Sequence, residues 1–180
     1  EDFMSNNIAS HGGIAPVIPA SAYIHHSAQV IGDVVLGENV SVWPMAVIRG
    51  DVNSIRIGDN SNIQDLCMLH VSHRRPEDPQ RAPLVIGANV TIGHQVTLHG
   101  CTIGDQCLIG IGTIVLDRAV IEARVMVGAG SLVPPGKVLK SGYLYMGRPV
   151  KEVRPLTEDE LAHLQYSAEH YLRVKQSYQV

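Results

Sequence analysis

The chain has 180 residues, which is enough for one domain with its own core. Its formal net charge is −3 and Lys and Arg form no run, which argues against partners that need clustered positive charge, namely nucleic acids and anionic membranes. No apolar stretch approaches the length of about 18 residues that a membrane-spanning helix requires. We therefore expect a soluble, cytoplasmic protein with a small-molecule substrate.

Residues 1–14 form an N-terminal segment that precedes the regular part of the sequence. Glu1, Asp2 and Phe3 stand before Met4, which has the character of a natural start, so we expect these three residues to be an artificial extension. The segment lacks the basic and then apolar pattern of a secretory signal.

Residues 15–155 carry a repeat of six residues. Aliphatic side chains recur at every sixth position in runs that begin at Ile18, Ile57, Ile86 and Ile103. Helical spacing and the two-residue alternation of long hairpins both fail to fit this pattern. Three hexapeptides per coil of about 18 residues, stacked at a strand separation of about 4.8 Å, predict a parallel β-helix shaped as a triangular prism.

Two further features accompany the aliphatic positions of this repeat. In the first run, a small or β-branched residue follows four positions later, as at Ala46 and Val52, and we expect both sets to face the interior. Glycine follows many of the aliphatic residues, and we expect it to supply corners whose dihedrals only glycine adopts cheaply. These glycines are Gly32 (one step early), Gly37, Gly58, Gly87, Gly93, Gly104, Gly110 and Gly128.

Residues 71–84, with the sequence VSHRRPEDPQRAPL, interrupt the repeat. They are charged and rich in proline, so we expect a surface loop between two coils. Functional residues concentrate on loops held by a rigid scaffold, which makes this excursion a candidate part of a site.

Residues 156–180 change to helical spacing. Thr157 and Glu160 form a capping box, and acidic residues in the first turn suit the positive end of the helix dipole. We expect an α-helix that packs along the prism with one apolar face, formed by Leu161, Leu164, Ala168 and Tyr171.

The register places outward-facing residues in columns, that is, at the same position in successive coils. The spacing between Leu69 and Leu98, less the extra residues of the loop, equals one coil of about 18 residues, so His70 lies directly beneath His99. Arg49 falls in the same column one coil below. Asp65 and His94 form a second column on a different face.

The two columns predict a shared metal site. Zinc is bound by His nitrogens in a tetrahedral shell, and catalytic zinc sites usually have three protein ligands. His94 lies around a corner from His99, so reaching the same ion within one subunit would be strained. We therefore expect a homotrimer with three equivalent sites between subunits, in which Asp65 of one chain also approaches Arg49 of the next.

Four motifs in these columns resemble the signature of the gamma-class carbonic anhydrases, over roughly residues 15–155, with a C-terminal helix also typical of that family. The motifs are RGD at Arg49–Asp51, NIQD at Asn62–Asp65, LH at Leu69–His70 and IGHQVTLHG at Ile92–Gly100.

The resemblance implies a left-handed β-helix and the hydration of carbon dioxide to bicarbonate. It implies zinc, with iron as an alternative, bound by His70, His94 and His99 across a trimer interface. It also implies that Gln64 contacts the water at the metal and that the positions of Arg49 and Asp51 organise the interface.

The chain departs from the family pattern at residues that move protons. The family has Glu where this chain has Val52, Glu where it has His73, and an active-site Asn where it has Gly147. His73 could act as the proton shuttle, because an imidazole exchanges protons near neutral pH, or it could be a solvated loop residue. Tyr143 and Tyr145 are further candidates to approach the site, with burial against the helix as the alternative.

Three functional classes remain open from the sequence. The first is a zinc-dependent lyase that hydrates carbon dioxide, slowly or under regulation. The second is acyl transfer or thioester hydrolysis with coenzyme A on the same scaffold, against which the set of three histidines weighs. The third is a metal-binding trimer without turnover.

Overall fold

A computed structural model of the chain describes residues 6–179 and shows a left-handed parallel β-helix followed by one α-helix. Strands of successive coils pair in parallel along three faces. Aliphatic side chains at the repeat positions fill the prism along its length, and Ile63, Ile92 and Ile109 are fully buried. The predicted fold class is confirmed. Glu1, Asp2 and Phe3, interpreted above as an extension, lie outside the described residues.

The strands are distributed over three faces. Two long strands, β3 (Gln29–Leu36) and β5 (Val47–Ile57), bend around a corner and belong to the first and second faces, and β1 (Ile8–Ala9) pairs with β3. The first face continues with β7 (Met68–His70), β10 (Thr97–His99), β13 (Ile114–Val115) and β16 (Leu132–Val133). The second continues with β8 (Leu84–Ile86), β11 (Thr102–Ile103), β14 (Val120–Ile121) and β17 (Val138–Leu139). The third contains β2 (Tyr23–Ile24), β4 (Ser41–Val42), β6 (Asn62–Ile63), β9 (Thr91–Ile92), β12 (Leu108–Ile109), β15 (Met126–Val127), β18 (Tyr143–Gly147) and β19 (Val150–Pro155).

The role expected of the glycines after the aliphatic residues is wrong for all but Gly32. Gly32 has a φ of +77°, but Gly58 and its equivalents do not have positive φ. They are needed because successive coils approach closely: a Cβ on Gly58 would lie 2.6 Å from the carbonyl carbon of Gly87. Several of the left-handed corner positions are instead occupied by asparagine, which tolerates this conformation better than most residues. These asparagines are Asn39, Asn60 and Asn89.

The prism differs from the predicted one at its start, at the end of the loop and at one inward-facing position. β1 pairs Ile8 with Val30, so the stack begins before residue 15. Leu84 is fully buried in β8, so the loop ends at residue 83. Val52 is exposed rather than inward, because the longer β5 shifts the register and turns Asn53 inward in its place.

The end of the prism is covered by a hairpin that the repeat did not predict. β18 and β19 pair in antiparallel fashion, whereas the sequence placed the regular β-helix up to residue 155. Tyr145 and Val150 are buried against the core, so the hairpin closes the apolar interior.

Helix α1 (Glu158–Tyr178) packs along the third face, and no helix within residues 6–179 has the length and apolar character that crossing a bilayer requires. The capping box of Thr157 and Glu160 is confirmed by both of its hydrogen bonds. Leu161, expected on the packed face, is exposed because the buried stripe starts one turn later at Leu164. Lys175 is buried in the last turns, which the apolar pattern did not predict.

Candidate metal centre

His70 and His99 stand one above the other at the ends of two neighbouring strands on the first face. The two strands pair residue for residue, Leu69 with Leu98 and His70 with His99. Because both leucines are fully buried, the histidines that follow them point out of the prism. Their ring centroids lie 5.3 Å apart. The column predicted from the register is therefore present.

Each of the three candidate histidines has one ring nitrogen against a carboxylate. Nε2 of His70 contacts Asp51 at 2.9 Å, Nδ1 of His94 contacts Asp65 at 3.0 Å, and Nδ1 of His99 contacts Asp117. The second nitrogen of each ring has no hydrogen-bond partner among residues 6–179. A carboxylate that fixes one imidazole nitrogen and leaves the other free is the usual outer-shell partner of a metal-binding histidine. The donor set therefore fits zinc.

Asp51 is held between a histidine and an arginine of its own chain. Burial alone would raise the pKa of Asp51, but hydrogen bonds from His70 and Arg49 outweigh it and lower that pKa to about 2. Nη1 of Arg49 donates to Asp51 over 2.6 Å. Arg49 and Asp51 thus orient His70 within one subunit, in addition to any role between subunits.

His94 lies on a different edge of the prism, at the corner between the third and first faces. It follows β9, whereas His99 ends β10 at the far side of the first face. Among the described residues, no group of three His, Cys, Asp or Glu side chains is arranged to hold a metal ion. Within one subunit, His94 is therefore not brought together with His70 and His99.

The edge that carries His94 also exposes apolar side chains. Met45, Leu66 and Ile111 lie on the corner turns of neighbouring coils, and all three are about half exposed or more. We call Met45, Leu66, His94 and Ile111 the His94 edge. Apolar side chains clustered around a polar site are typical of a contact between proteins.

Gln64 is buried next to this edge, where helix α1 covers the third face. Its Nε2 donates to Oδ1 of Asn62 over 3.1 Å, and Asn62 donates in turn to Thr91 over 3.3 Å. The hydroxyl of Thr91 bonds to Ser167 of the helix over 3.0 Å. This chain of hydrogen bonds holds the Gln64 amide in one orientation.

The other two predicted catalytic residues, His73 and Tyr143, make no side-chain hydrogen bond to the three histidines in the described part of the chain. His73 is exposed in the loop, where Nε of Arg75 donates to its Nε2 over 3.4 Å. Tyr143 begins β18, three strands beyond β9 on the third face, which is a distance of roughly 14 Å along the prism. Within one subunit, the structure does not bring Tyr143 to His94.

Asp117 and Ser72 were missed by the sequence reasoning. The Asp117 carboxylate accepts hydrogen bonds from His99 and from the Ser72 hydroxyl. Burial alone would raise the pKa of Asp117, but these two hydrogen bonds lower it. The signal that could have found Asp117 is its position one coil beyond His99 and one residue further along, which is diagonal to the column.

Known proteins resemble the chain over nearly its whole length. A family model described as bacterial transferase hexapeptide (six repeats) matches residues 15–50 and 100–135. The chain is 51% identical over 175 residues to Protein YrdA of Escherichia coli strain K12, covering 97% of this chain and 95% of that protein. It is 44% identical over 171 residues to a carbonic anhydrase of Geobacillus kaustophilus, covering 95% of this chain and 90% of that protein.

A solved structure is also similar to the chain over nearly its whole length. The hexapeptide transferase family protein from Anaplasma phagocytophilum matches with a TM-score of 0.89 and 42% identity, over 97% of this chain and 99% of that one. The repeat, the histidine columns and these relatives agree, and the chain belongs to the gamma carbonic anhydrase-like family of hexapeptide-repeat proteins.

Proposed function

We propose that the protein is a zinc-dependent lyase that hydrates carbon dioxide to bicarbonate, with iron as an alternative metal. The metal is held between subunits of a homotrimer, by His70 and His99 of one subunit and His94 of its neighbour. The observation that carries this proposal is the set of three imidazoles, each fixed by a carboxylate on one nitrogen and free on the other.

The three carboxylates determine which way the imidazoles face. Asp51, Asp65 and Asp117 accept from their histidines and so favour one tautomer and one ring orientation in each. When bound, a zinc ion with three imidazole ligands and an open position activates water near neutral pH.

Gln64 is suited to orient a reacting molecule. Since its Nε2 already donates to Asn62, its amide oxygen remains available as an acceptor at the His94 edge. A buried amide held in this way loses little freedom when it makes a further hydrogen bond.

In this proposal, a residue of the loop transfers the released proton to solvent. The exposed imidazole of His73 is the shuttle candidate, because imidazole is the side chain best suited to exchange protons with solvent, and Val52 carries no ionisable group at the other position where the family has an acid. With one shuttle candidate in place of two carboxylates, we expect turnover limited by proton transfer, so that added imidazole buffer accelerates it.

Two measurements test the proposal. The metal content of the purified trimer is determined first, and a protein that binds neither zinc nor iron would contradict it. Stopped-flow hydration of carbon dioxide with zinc-loaded and iron-loaded protein then distinguishes an enzyme from a metal-binding trimer without turnover.

A mixing experiment tests whether the site is shared. His94→Ala and His70→Ala should each abolish metal binding when assembled alone. In a trimer refolded from both variants, one interface pairs an intact His70 and His99 with an intact His94, so each mixed trimer should bind one metal ion. Mixed trimers without metal would show that the ligands do not come from two subunits.

Acyl transfer or thioester hydrolysis with coenzyme A is the second candidate. The observation in its favour is the matching family model, whose description names transferases. Equilibrium binding of coenzyme A to the metal-free trimer separates the two, because the lyase has no use for this ligand.

A further inference from the structure

The loop between β7 and β8 is tied to the same carboxylate that contacts His99. Ser72, at the start of the loop, donates its hydroxyl hydrogen to Asp117. The other oxygen of Asp117 accepts from Nδ1 of His99. One carboxylate on the corner after β13 therefore holds a candidate metal ligand and the loop at the same time.

The loop has few other attachments to the prism. Asp78 pairs with Arg118, next to Asp117. The buried Asn53 side chain donates to the carbonyl oxygens of Ser72 and Arg81, which closes the base of the loop.

A cavity of about 590 Å³ lies beside these contacts. It is lined by Arg81, Leu116, Asp117, Arg118, Pro135 and Gly136. The loop thus borders open space on this side. Its position depends on individual polar contacts: the side-chain contacts of Ser72 and Asp78, which one substitution each can remove, and a backbone hydrogen bond from the N–H of Arg74 to the Val52 carbonyl.

We propose that Asp117 is a positioning residue that couples the loop to the metal site: it orients the His99 imidazole and anchors the loop through Ser72. The inference rests on the proposed function, because His99 must be a metal ligand for its orientation to matter. By linkage, a metal that favours the observed ring orientation also favours the anchored loop, and the reverse holds equally. His73 follows Ser72 directly, so the anchor also restricts the shuttle candidate.

The test combines zinc affinity with the rate at which trypsin cleaves the loop after Arg74, on full-length protein. Asp117→Ala should weaken zinc binding by about 10–100-fold, the usual effect of losing an outer-shell partner, and should speed cleavage of the zinc-free protein. Asp117→Asn keeps one acceptor oxygen for His99, and its amide nitrogen can donate to the Ser72 hydroxyl, so it should recover most of both properties. This variant also tests the proposal if Asp117→Ala does not fold.

Two control variants each remove one contact of the loop and leave the contact between Asp117 and His99 in place. Ser72→Ala frees the loop but leaves the contact between Asp117 and His99, so it should speed cleavage far more than it weakens zinc binding. Arg118→Gln removes the tether to Asp78 but leaves both hydrogen bonds of Asp117, so it should speed cleavage and weaken zinc binding far less than Asp117→Ala. In the wild type, added zinc should slow cleavage after Arg74, and this protection should disappear in Asp117→Ala.

The outcomes are decisive in both directions. Zinc affinity of wild-type strength in folded Asp117→Ala would overturn the coupling alone. An equal loss of affinity in Arg118→Gln would also overturn it, because loop mobility would then be the cause. A wild-type protein that binds no zinc would overturn the proposed function and the coupling with it, whereas cleavage of the zinc-free variants would still report whether Asp117 anchors the loop.

Discussion

The His94 edge predicts that one surface substitution weakens the proposed trimer. Ile111 lies one coil beyond His94 and is 52% exposed in the single chain. Full burial of an Ile side chain contributes about 1.5–3 kcal/mol, so covering the exposed half contributes about 1 kcal/mol per contact. Three equivalent contacts in a closed trimer add to about 3 kcal/mol, which corresponds to a change of roughly 150-fold in the association constant.

Ile111→Ser should therefore shift the trimer toward monomer by about this factor, which sedimentation equilibrium over a range of concentrations would measure. Val138→Ser is the matched control, because Val138 is 49% exposed on the second face, away from the His94 edge. Equal behaviour of the two variants, or an Ile111→Ser trimer as strong as the wild type, would refute the assignment of this edge to the subunit contact.

Three predictions concern buried groups. Leu98→Ala should lower the free energy of unfolding in urea by about 2–5 kcal/mol but leave metal content unchanged, because the side chain points into the prism; metal loss would contradict this. Lys175→Met should lower the free energy of unfolding by about 1.5–3 kcal/mol, because the Lys175 ammonium donates to the Ser21 carbonyl over 2.7 Å. An unchanged free energy of unfolding would show that this hydrogen bond does not stabilise the fold. Burial raises the pKa of the Cys67, Cys101 and Cys107 thiols to about 12, so near pH 8 Ellman's reagent should react with them only after unfolding. Reaction with the native protein would contradict this prediction.

The histidine column could be predicted because it follows directly from the core. Once Leu69 and Leu98 are assigned to the interior, the period of two along a strand turns the next residue outward. The parallel pairing then places His70 and His99 in adjacent strands. Few other features of the site depend on burial and period alone.

The partners of the histidines could not be predicted in the same way. Asp117 reaches His99 diagonally, from one coil beyond, and Ser72 reaches Asp117 from a loop that has no register. Glycine was misinterpreted for a related reason, since the period identifies Gly58 as special without showing whether its dihedral or its small size is required. At Gly58 the small size is required, because the next coil leaves no space for a Cβ.

The placement of the ligands makes metal binding and assembly one equilibrium under the proposed function. Two ligands belong to the first face of one subunit and the third to an edge that its own chain cannot bring to them. A metal that binds the trimer more tightly than the monomer must stabilise the trimer by the same free energy. Removing the metal and weakening the His94 edge should therefore add in free energy, so that at one protein concentration Ile111→Ser dissociates the metal-free trimer more completely than the metal-loaded trimer.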